Sequence, residues 1–475
     1  MGNPRGFLEL TRRLPKKRQA SERIHDYREA EPLLEGERLT QQASRCMDCG
    51  VPFCQSGCPL GNLIPEWNDL VYKGRLDEAT VRLHATNNFP EMTGRLCPAP
   101  CEASCVLALN DDAVTIKAIE AAIAERALAL ALPPEPAPER TGRRVAVIGS
   151  GPAGLACAQQ LAREGHQVVV FEKADAAGGL LRYGIPDFKM DKALLDRRLE
   201  QLVAEGVELR CGVEAGVTVT ADELEAQFDA IAIAAGAQRP RPLGVAGEDL
   251  AGVHFAMEYL TQQNRVIAGR PIGERISAEG KHVLILGGGD TGADCLGTAH
   301  RQGAASVTQL EIAERPPETR SADNPWPEWP LIFRVSPAHE EGGERAYALM
   351  TTRLEGTGGK VERLIAQTAR RDGRGFVAEP GTERAFPAEL VLIATGFVGG
   401  EPSPLPADLG LDVDASGRLV ADDRARTRRP HVFAFGDARR GASLVVWAIA
   451  EGRVAAHSIS LFLAGKRALP LAATG

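Results

Sequence analysis

The stretch Arg143–Lys173, RRVAVIGSGPAGLACAQQLAREGHQVVVFEK, decides how the rest of the chain is read. Val145–Ile148 is a short apolar run with the composition of a buried strand. Gly149, Gly151 and Gly154 follow as G-x-G-x-x-G and open an apolar-periodic helix over Ala153–Arg163. A second strand, Val168–Phe171, ends on Glu172, about twenty residues past the glycines. Each part has a physical reason. The first glycine permits a tight turn, and the second lets backbone N–H groups approach a pyrophosphate at the helix N-terminus. The third packs helix on strand, and the acid holds a ribose hydroxyl pair. With all parts in register, a dinucleotide with an adenosine diphosphate half is expected here.

Lys281–His300, KHVLILGGGDTGADCLGTAH, repeats the device with Gly287, Gly289 and Gly292, and Ser306–Ile312 supplies a second strand carrying Glu311. Two such modules point to one fixed and one exchanging dinucleotide, the arrangement for hydride transfer from nicotinamide to flavin. Glu311 leans towards NADH, because an acid there grips a 2′-hydroxyl and repels a 2′-phosphate. Arg315 and Arg320 follow closely and suit clamping that phosphate, so NADPH or NADH stays open. After Glu172 comes GGLLRYGIPDFKMDK, in which Gly178 and Gly179 allow close backbone approach to a flavin and Leu180–Tyr183 suit its ring system. Phe228–Ala237 and Leu390–Gly396 are buried strands ending in A-x-G turns. His431–Asp437 is a strand followed by Gly436 and Asp437, whose carboxylate suits the ribityl hydroxyls. The apolar helix expected over Ser443–Ile459 aims its N-terminus at the flavin's carbonyl edge.

A chain of 475 residues suggests about three domains. Hydrophobic content of 44% and charged content of 25% describe a globular protein with ample core. The net charge of −8 argues against nucleic acid or an anionic membrane as partner. No apolar run is long enough to span a bilayer, and the N-terminus lacks a signal-peptide core. A cytoplasmic location is expected, where clustered thiols read as metal or redox ligands before disulfides.

Seven of the ten cysteines fall within sixty residues. Cys46, Cys49, Cys54 and Cys58 stand as C-x2-C-x4-C-x3-C-P; Cys97, Cys101 and Cys105 follow in CPAPCEASC. Ile64–Asn88 between them is helical scaffold. Zinc knuckles favour repeated C-x2-C pairs, and only Cys46 and Cys49 have that spacing. The pattern is closer to bacterial ferredoxins, whose last cysteine serves a different cluster from the first three. Seven thiols are one short of two four-ligand clusters, so a non-cysteine ligand is expected. Glu120 is a candidate, although position alone favours a solvated surface glutamate. Cys157, Cys211 and Cys295 are isolated and read as small core residues. No cysteine pair follows the Gly178–Gly179 turn, so a dithiol relay is not expected.

The first forty residues form a charged, surface-laid arm with short helices near Arg18–Tyr27 and Leu39–Ala43, either a loose terminus or a docking segment. Pro133–Gly142 is a Pro-rich linker. Ser321–Arg345 reads as a packed loop, a lid or subunit contact, in which Trp326 and Trp329 fill core or stack on prolines. His339 beside Glu340 reads as ordinary. No nucleophile–base pair stands out, and no catalytic side chain is expected beyond the bound cofactors.

Together C-x2-C-x4-C-x3-C-P, CPAPCE, VIGSGPAGL, GGLLRYGIP, GGGDTGAD, ATGF and FAFGDARRG resemble the small (β) subunits of glutamate synthase over nearly the whole chain. LEIAERPPETRSADNPWPEWP is similar to one branch of that family; a Tyr-Arg-Arg-Asp segment typical of another is absent, and the branches differ in nicotinamide preference. The resemblance implies two 4Fe–4S clusters, one on Cys46, Cys49, Cys54 and Cys105, the other on Cys58, Cys97 and Cys101 with Glu120. It implies FAD on Gly149, Gly151, Pro152, Ala153, Gly154, Glu172, Gly179, Leu180, Gly436 and Asp437, and NAD(P)H on Gly287, Gly289, Asp290, Thr291 and Gly292. Gly236 and Gly396, at the A-x-G ends, complete the cofactor-binding set.

The implied fold is α/β, with a helical iron–sulfur domain over 1–133 and two Rossmann-like dinucleotide-binding domains. The flavin domain spans 142–252 and 388–475, with the nicotinamide domain, 253–387, inserted in it. The implied function is an oxidoreductase that feeds electrons to a large (α) subunit carrying glutaminase and FMN-containing synthase domains. That partner makes L-glutamate from L-glutamine and 2-oxoglutarate. The alternative is a reductase subunit of the same architecture serving another partner, in pyrimidine reduction or ferredoxin-linked transhydrogenation.

Overall fold

The computed structural model describes residues 3–129, 137, 139–373 and 375–465; half of the expected linker and the last ten residues lie outside them. Short helices make up the chain as far as Ala129. The expected scaffold is two helices, Ile64–Tyr72 and Leu76–His84, because Gly74 turns the chain at φ +73°. Trp67, Leu83, Ile119 and Ile123 join Cys58, Cys97, Cys101 and Cys105 in one buried core. The cysteines therefore stand on a packed body, not on free loops.

Two parallel sheets follow. The first runs, edge to edge, Val432–Ala434, Ala230–Ile233, Arg144–Ile148, Gln167–Glu172, Val207–Cys211. The second runs Val253–Phe255, Leu390–Ile393, His282–Leu286, Ser306–Leu310, Glu344–Ala346. Residues 388–393 thus lie with the second sheet, which corrects the boundary expected between 387 and 388. The reason is burial: all four residues of Leu390–Ile393 are buried, and the position between two parallel neighbours covers both faces of such a run. The chain returns to the first sheet only with Val432–Ala434. An antiparallel sheet built from Leu349–Thr357, Lys360–Asp372, Gly375–Ala378 and Arg384–Pro387 branches from the second domain.

Specific contacts hold these bodies together. The helix Pro152–Arg163 packs on the C-terminal helix Val445–Leu463 at Gly452, where a Cβ would run into the Ala153 carbonyl. Arg198 of the flavin domain makes a two-pronged bond to Glu91 of the cysteine domain, at 2.8 and 2.7 Å, with both side chains buried. The N-terminal arm is docked, with helices at Ala20–Arg23 and Gly36–Ala43. Its Arg23 is buried and lies 3.0 Å from Glu341, which also pairs with Arg301 at 2.5 Å. On the other side, Glu29 meets Arg95 and the backbone of Asp191.

Candidate active site

The two glycine loops are sterically equivalent. Gly149 (φ +100°) and Gly287 (φ +119°) sit so close to the Ala234 and Ala394 carbonyls that a Cβ would overlap them. Gly154 and Gly292 press on the carbonyls of Gly149 and Gly287 in the same way. Around Gly151 and Gly289 nothing stands within 4 Å of a Cβ position, which is the open side that a pyrophosphate approaches.

The acids also match. Glu172 accepts the Ser150 N–H (3.1 Å) and hydroxyl (2.5 Å) on Oε2 and the Ala174 N–H (2.8 Å) on Oε1. Glu311 accepts the Gly288 N–H on Oε2 and the Ala313 N–H (3.0 Å) on Oε1. Each carboxylate fastens its own loop and keeps lone pairs for a ribose. Gln309 bonds the Gly287 carbonyl at 2.7 Å and is itself braced by His339 at 2.8 Å, a supporting role that sequence reading missed. Arg315 pairs with Glu318 over the Phe333 ring, while Arg320 reaches the Ala103 carbonyl of the cysteine domain.

A cavity of about 720 Å³ opens between the domains. Gly149, Gly151, Pro152, Ala153, Glu172, Gly179, Leu180, Gly236 and Asp437 line it from the flavin domain. Gly154 lies behind that wall, Gly436 stands against Ala153, and Gly396 bonds Arg241, so these three shape the loops without lining the cavity. From the second domain Asp290 lines it, but Gly287, Gly289, Thr291 and Gly292 do not. Met257 and Thr261 join Asp290, and Leu96 and Pro98, on either side of Cys97, complete the wall. Met257 and Thr261 had no sequence signal, because only the domain packing brings their helix here. Pro98 had one, its place in CPAPC.

Burial pushes the Asp437 carboxyl up to about 6, although the Ser443 hydroxyl donates to it at 3.0 Å. A carboxyl whose folded pKa lies above its unfolded value holds extra protons in between, so stability falls as pH rises from about 4 to 6 and stays lowered above that. Asp437→Asn is therefore expected to raise the melting temperature of the flavin-free chain at pH 7, with the gain vanishing towards pH 4. The same change should weaken flavin retention. Thermal melts at the two pH values, with and without FAD, check both halves.

The cysteines form two groups. Cys46, Cys49, Cys54 and Cys105 line one small apolar cavity with Ile64, Leu107 and Ile116. Burial pushes the thiols of Cys46 and Cys54 up to about 12 and raises that of Cys49 as well. In the other group, burial and then the charge of Glu120 and neighbouring thiols raise Cys58 to about 11, Cys97 to about 12 and Cys101 well above its ordinary value. Cations would be needed to draw such protons off. Glu120 is buried, not the solvated surface residue that its position suggests. Its Oε1 accepts Thr93 Oγ1 at 2.5 Å and Asn87 Nδ2 at 2.9 Å, which leaves Oε2 for another partner, and burial lifts its pKa to about 7. Among the described residues no three His, Cys, Asp or Glu side chains close in on a position for one ion. Four thiols ringing a cavity suit a multi-iron cuboid.

Cys157 and Cys295 are core residues, whereas Cys211 is exposed because it ends the edge strand Val207–Cys211. The Trp-rich loop spans two domains: Trp326 packs on Phe53 beside Cys54 (4.7 Å between ring centres), and Ser104 bonds the Pro327 carbonyl at 3.1 Å.

A family model described as pyridine nucleotide-disulphide oxidoreductase matches residues 143–452, and one described as dihydropyrimidine dehydrogenase domain II, 4Fe-4S cluster, matches residues 23–131. The glutamate synthase [NADPH] small chain of Mycobacterium tuberculosis is 54% identical, over 99% of this chain and 98% of its own length. That of Bacillus subtilis is 46% identical over 99% and 100%. The glutamate synthase [NADH] of Schizosaccharomyces pombe is 45% identical over 98% of this chain, which corresponds to 23% of that longer protein. Among solved structures, Mycobacterium tuberculosis FprA in complex with NADPH has a TM-score of 0.55 at 19% identity, covering 69% of this chain and 87% of that one. That likeness shows the fold alone. No helix among the described residues is long and apolar enough to cross a membrane.

Proposed function

The chain belongs to the family of glutamate synthase small subunits, oxidoreductases with an iron–sulfur and a flavin domain, and from that premise we propose that it is the electron-input subunit. FAD bound in the cavity supplies the two-electron to one-electron conversion, between NADPH or NADH and two 4Fe–4S clusters. The observation that carries this reading is the shared cavity, since one wall comes from each of the three domains.

The chain's own residues bind and orient. Gly151 and Ala153 offer backbone N–H groups to the FAD pyrophosphate, Gly149 makes the tight turn with its own N–H on the Phe171 carbonyl, Pro152 opens the helix, and Glu172 takes the ribose. Gly179, Leu180 and Gly236 border the ring system, and Asp437 takes a ribityl hydroxyl. Gly287, Gly289, Asp290, Thr291 and Gly292 hold the nicotinamide dinucleotide, with Asp290 reaching the common cavity. Cys58, Cys97, Cys101 and Glu120 hold the cluster beside the flavin, because Leu96 and Pro98 flank Cys97 in the cavity wall. Cys46, Cys49, Cys54 and Cys105 hold the outer one, where Cys49 is the least buried of these thiols and Val51 beside it is exposed.

The partner is a large subunit with glutaminase and FMN-containing synthase domains, which makes L-glutamate from L-glutamine and 2-oxoglutarate. The fission-yeast relative, several times longer than this chain, supports a partner so intimate that one polypeptide carries both. Bacterial relatives are named for NADPH and the yeast one for NADH, while the matched hold of Glu172 and Glu311 favours a free 2′-hydroxyl.

An anaerobic pull-down of this chain from its own cell extract, assayed for glutamine- and 2-oxoglutarate-dependent oxidation of NADH and NADPH, tests the reading. A large flavin-containing partner with that activity is expected, and the ratio of rates names the nicotinamide. Recovery of a different partner would keep the reductase and remove glutamate synthesis.

A further inference from the structure

The helix Asp290–Arg301 carries Asp290, Asp294, Gly297 and Arg301 at steps of four, three and four, so they share one face. A flavin-domain loop, 184–190, lies against that face. Its Phe188 ring stands 2.8 Å from where a Cβ on Gly297 would be, and 3.9 Å beneath the Arg301 guanidinium. Next in the loop, Lys189 Nζ lies 2.5 Å from Asp294 Oδ1, with the two side chains 22% and 5% exposed. Burial works against the lysine's charge, yet Asp294 and Asp290 outweigh it and hold its pKa above the ordinary value. The contact is an ion pair across the domain boundary.

The Gly287–Gly292 loop and helix N-terminus are an unusual place for two carboxylates, because a pyrophosphate must approach there. Asp294 lies only about 6 Å further along the helix axis than Asp290. Burial already lifts the Asp294 carboxyl to about 6 beside Lys189; without the lysine it would ionise only at higher pH, and once ionised its charge would repel the incoming phosphates and offset the attraction of the helix N-terminus.

We propose that Lys189 is a positioning residue for the nicotinamide dinucleotide: by neutralising Asp294 beneath the second glycine loop, the flavin domain sets the affinity of the nicotinamide domain. The inference rests on reading that loop as the nicotinamide site. By linkage, whatever strengthens dinucleotide binding through this pair equally strengthens seating of the 184–190 loop. Hydride donor binding and correct approach of the two domains are then one equilibrium.

The test is calorimetric titration of the FAD-loaded chain with NAD+ and with NADP+, which reads affinity apart from turnover. Lys189→Met is expected to weaken binding about tenfold in titrations at alkaline pH, where Asp294 is ionised, the effect of one uncompensated charge at this range in a medium of intermediate dielectric. Asp294→Asn should bind at least as tightly as the parent, the double variant should return to the parental affinity, and Lys189→Arg should match the parent. If the pair only ties the domains together, Asp294→Asn and the double variant would bind as weakly as Lys189→Met, and the proposal falls. Should Lys189→Met fail to retain FAD, the Asp294→Asn result alone decides, because a structural tie predicts weakening and charge compensation predicts none. A parent chain that binds neither dinucleotide would instead overturn the nicotinamide reading itself.

Discussion

Cys49→Ser is expected to leave NAD(P)H-driven bleaching of the flavin unchanged and to abolish electron delivery to the large subunit. Cys49 is one of four thiols around the outer cavity and is only half-buried, so on the proposed ligand set the substitution removes a ligand with little disturbance to the core. The flavin cavity is walled by Leu96 and Pro98 beside the inner thiol group, not by Cys49, which separates the two readouts. The measurement pairs anaerobic flavin absorbance and dye reduction with glutamate formation in the reconstituted complex. Intact glutamate formation would take the outer cluster out of the electron path. Lost flavin bleaching would mean that the cluster domain also shapes the flavin site.

Arg198→Met should cost about 3–5 kcal/mol of stability, the usual penalty for stranding one member of a buried ion pair. Glu91 is fully buried, and both its oxygens are spent on the Arg198 guanidinium. The guanidinium also bonds Gln201 and stands near His84, whose pKa is lowered to about 4 by burial and then by the Arg198 charge. Because the pair joins the cysteine domain to the flavin domain, flavin reduction should outlast onward transfer as denaturant is added. Adding Glu91→Gln to Arg198→Met should recover most of the loss, since an uncharged pair of similar shape leaves no stranded charge. Denaturant melts of the two variants and the parent settle the sign and size.

Features fixed by local sterics were legible in the sequence. Gly149 and Gly287 must adopt positive φ, and Gly154 and Gly292 must admit a carbonyl, whatever the rest of the chain does. The cysteine spacing is likewise a local property of loops. What depends on distant partners was not legible. Leu390–Ile393 has the composition of a buried strand in either sheet, and only pairing with Val253–Phe255 and His282–Leu286 assigns it. The helix Ile116–Ala129 is apolar on nearly every side, so its periodicity could not place Glu120 inside or outside; contact with Asn87 and Thr93 does. Lys189 with Asp294 and Glu91 with Arg198 each join residues more than a hundred positions apart, beyond the reach of any motif.

The docked arm has a kinetic consequence. Arg23 finds its acidic partners at Glu340 and Glu341, 317 residues from Arg23 in the first case. At ordinary synthesis rates of about 5–20 residues per second, the arm waits roughly 15–60 s after it emerges before those partners exist. Trp326, which covers Phe53 beside Cys54, is made almost as late. During that interval the thiols already translated remain uncovered by the segment that will finally pack over them. The order of synthesis thus leaves the Cys54 side of the domain open until the Trp326 segment is made.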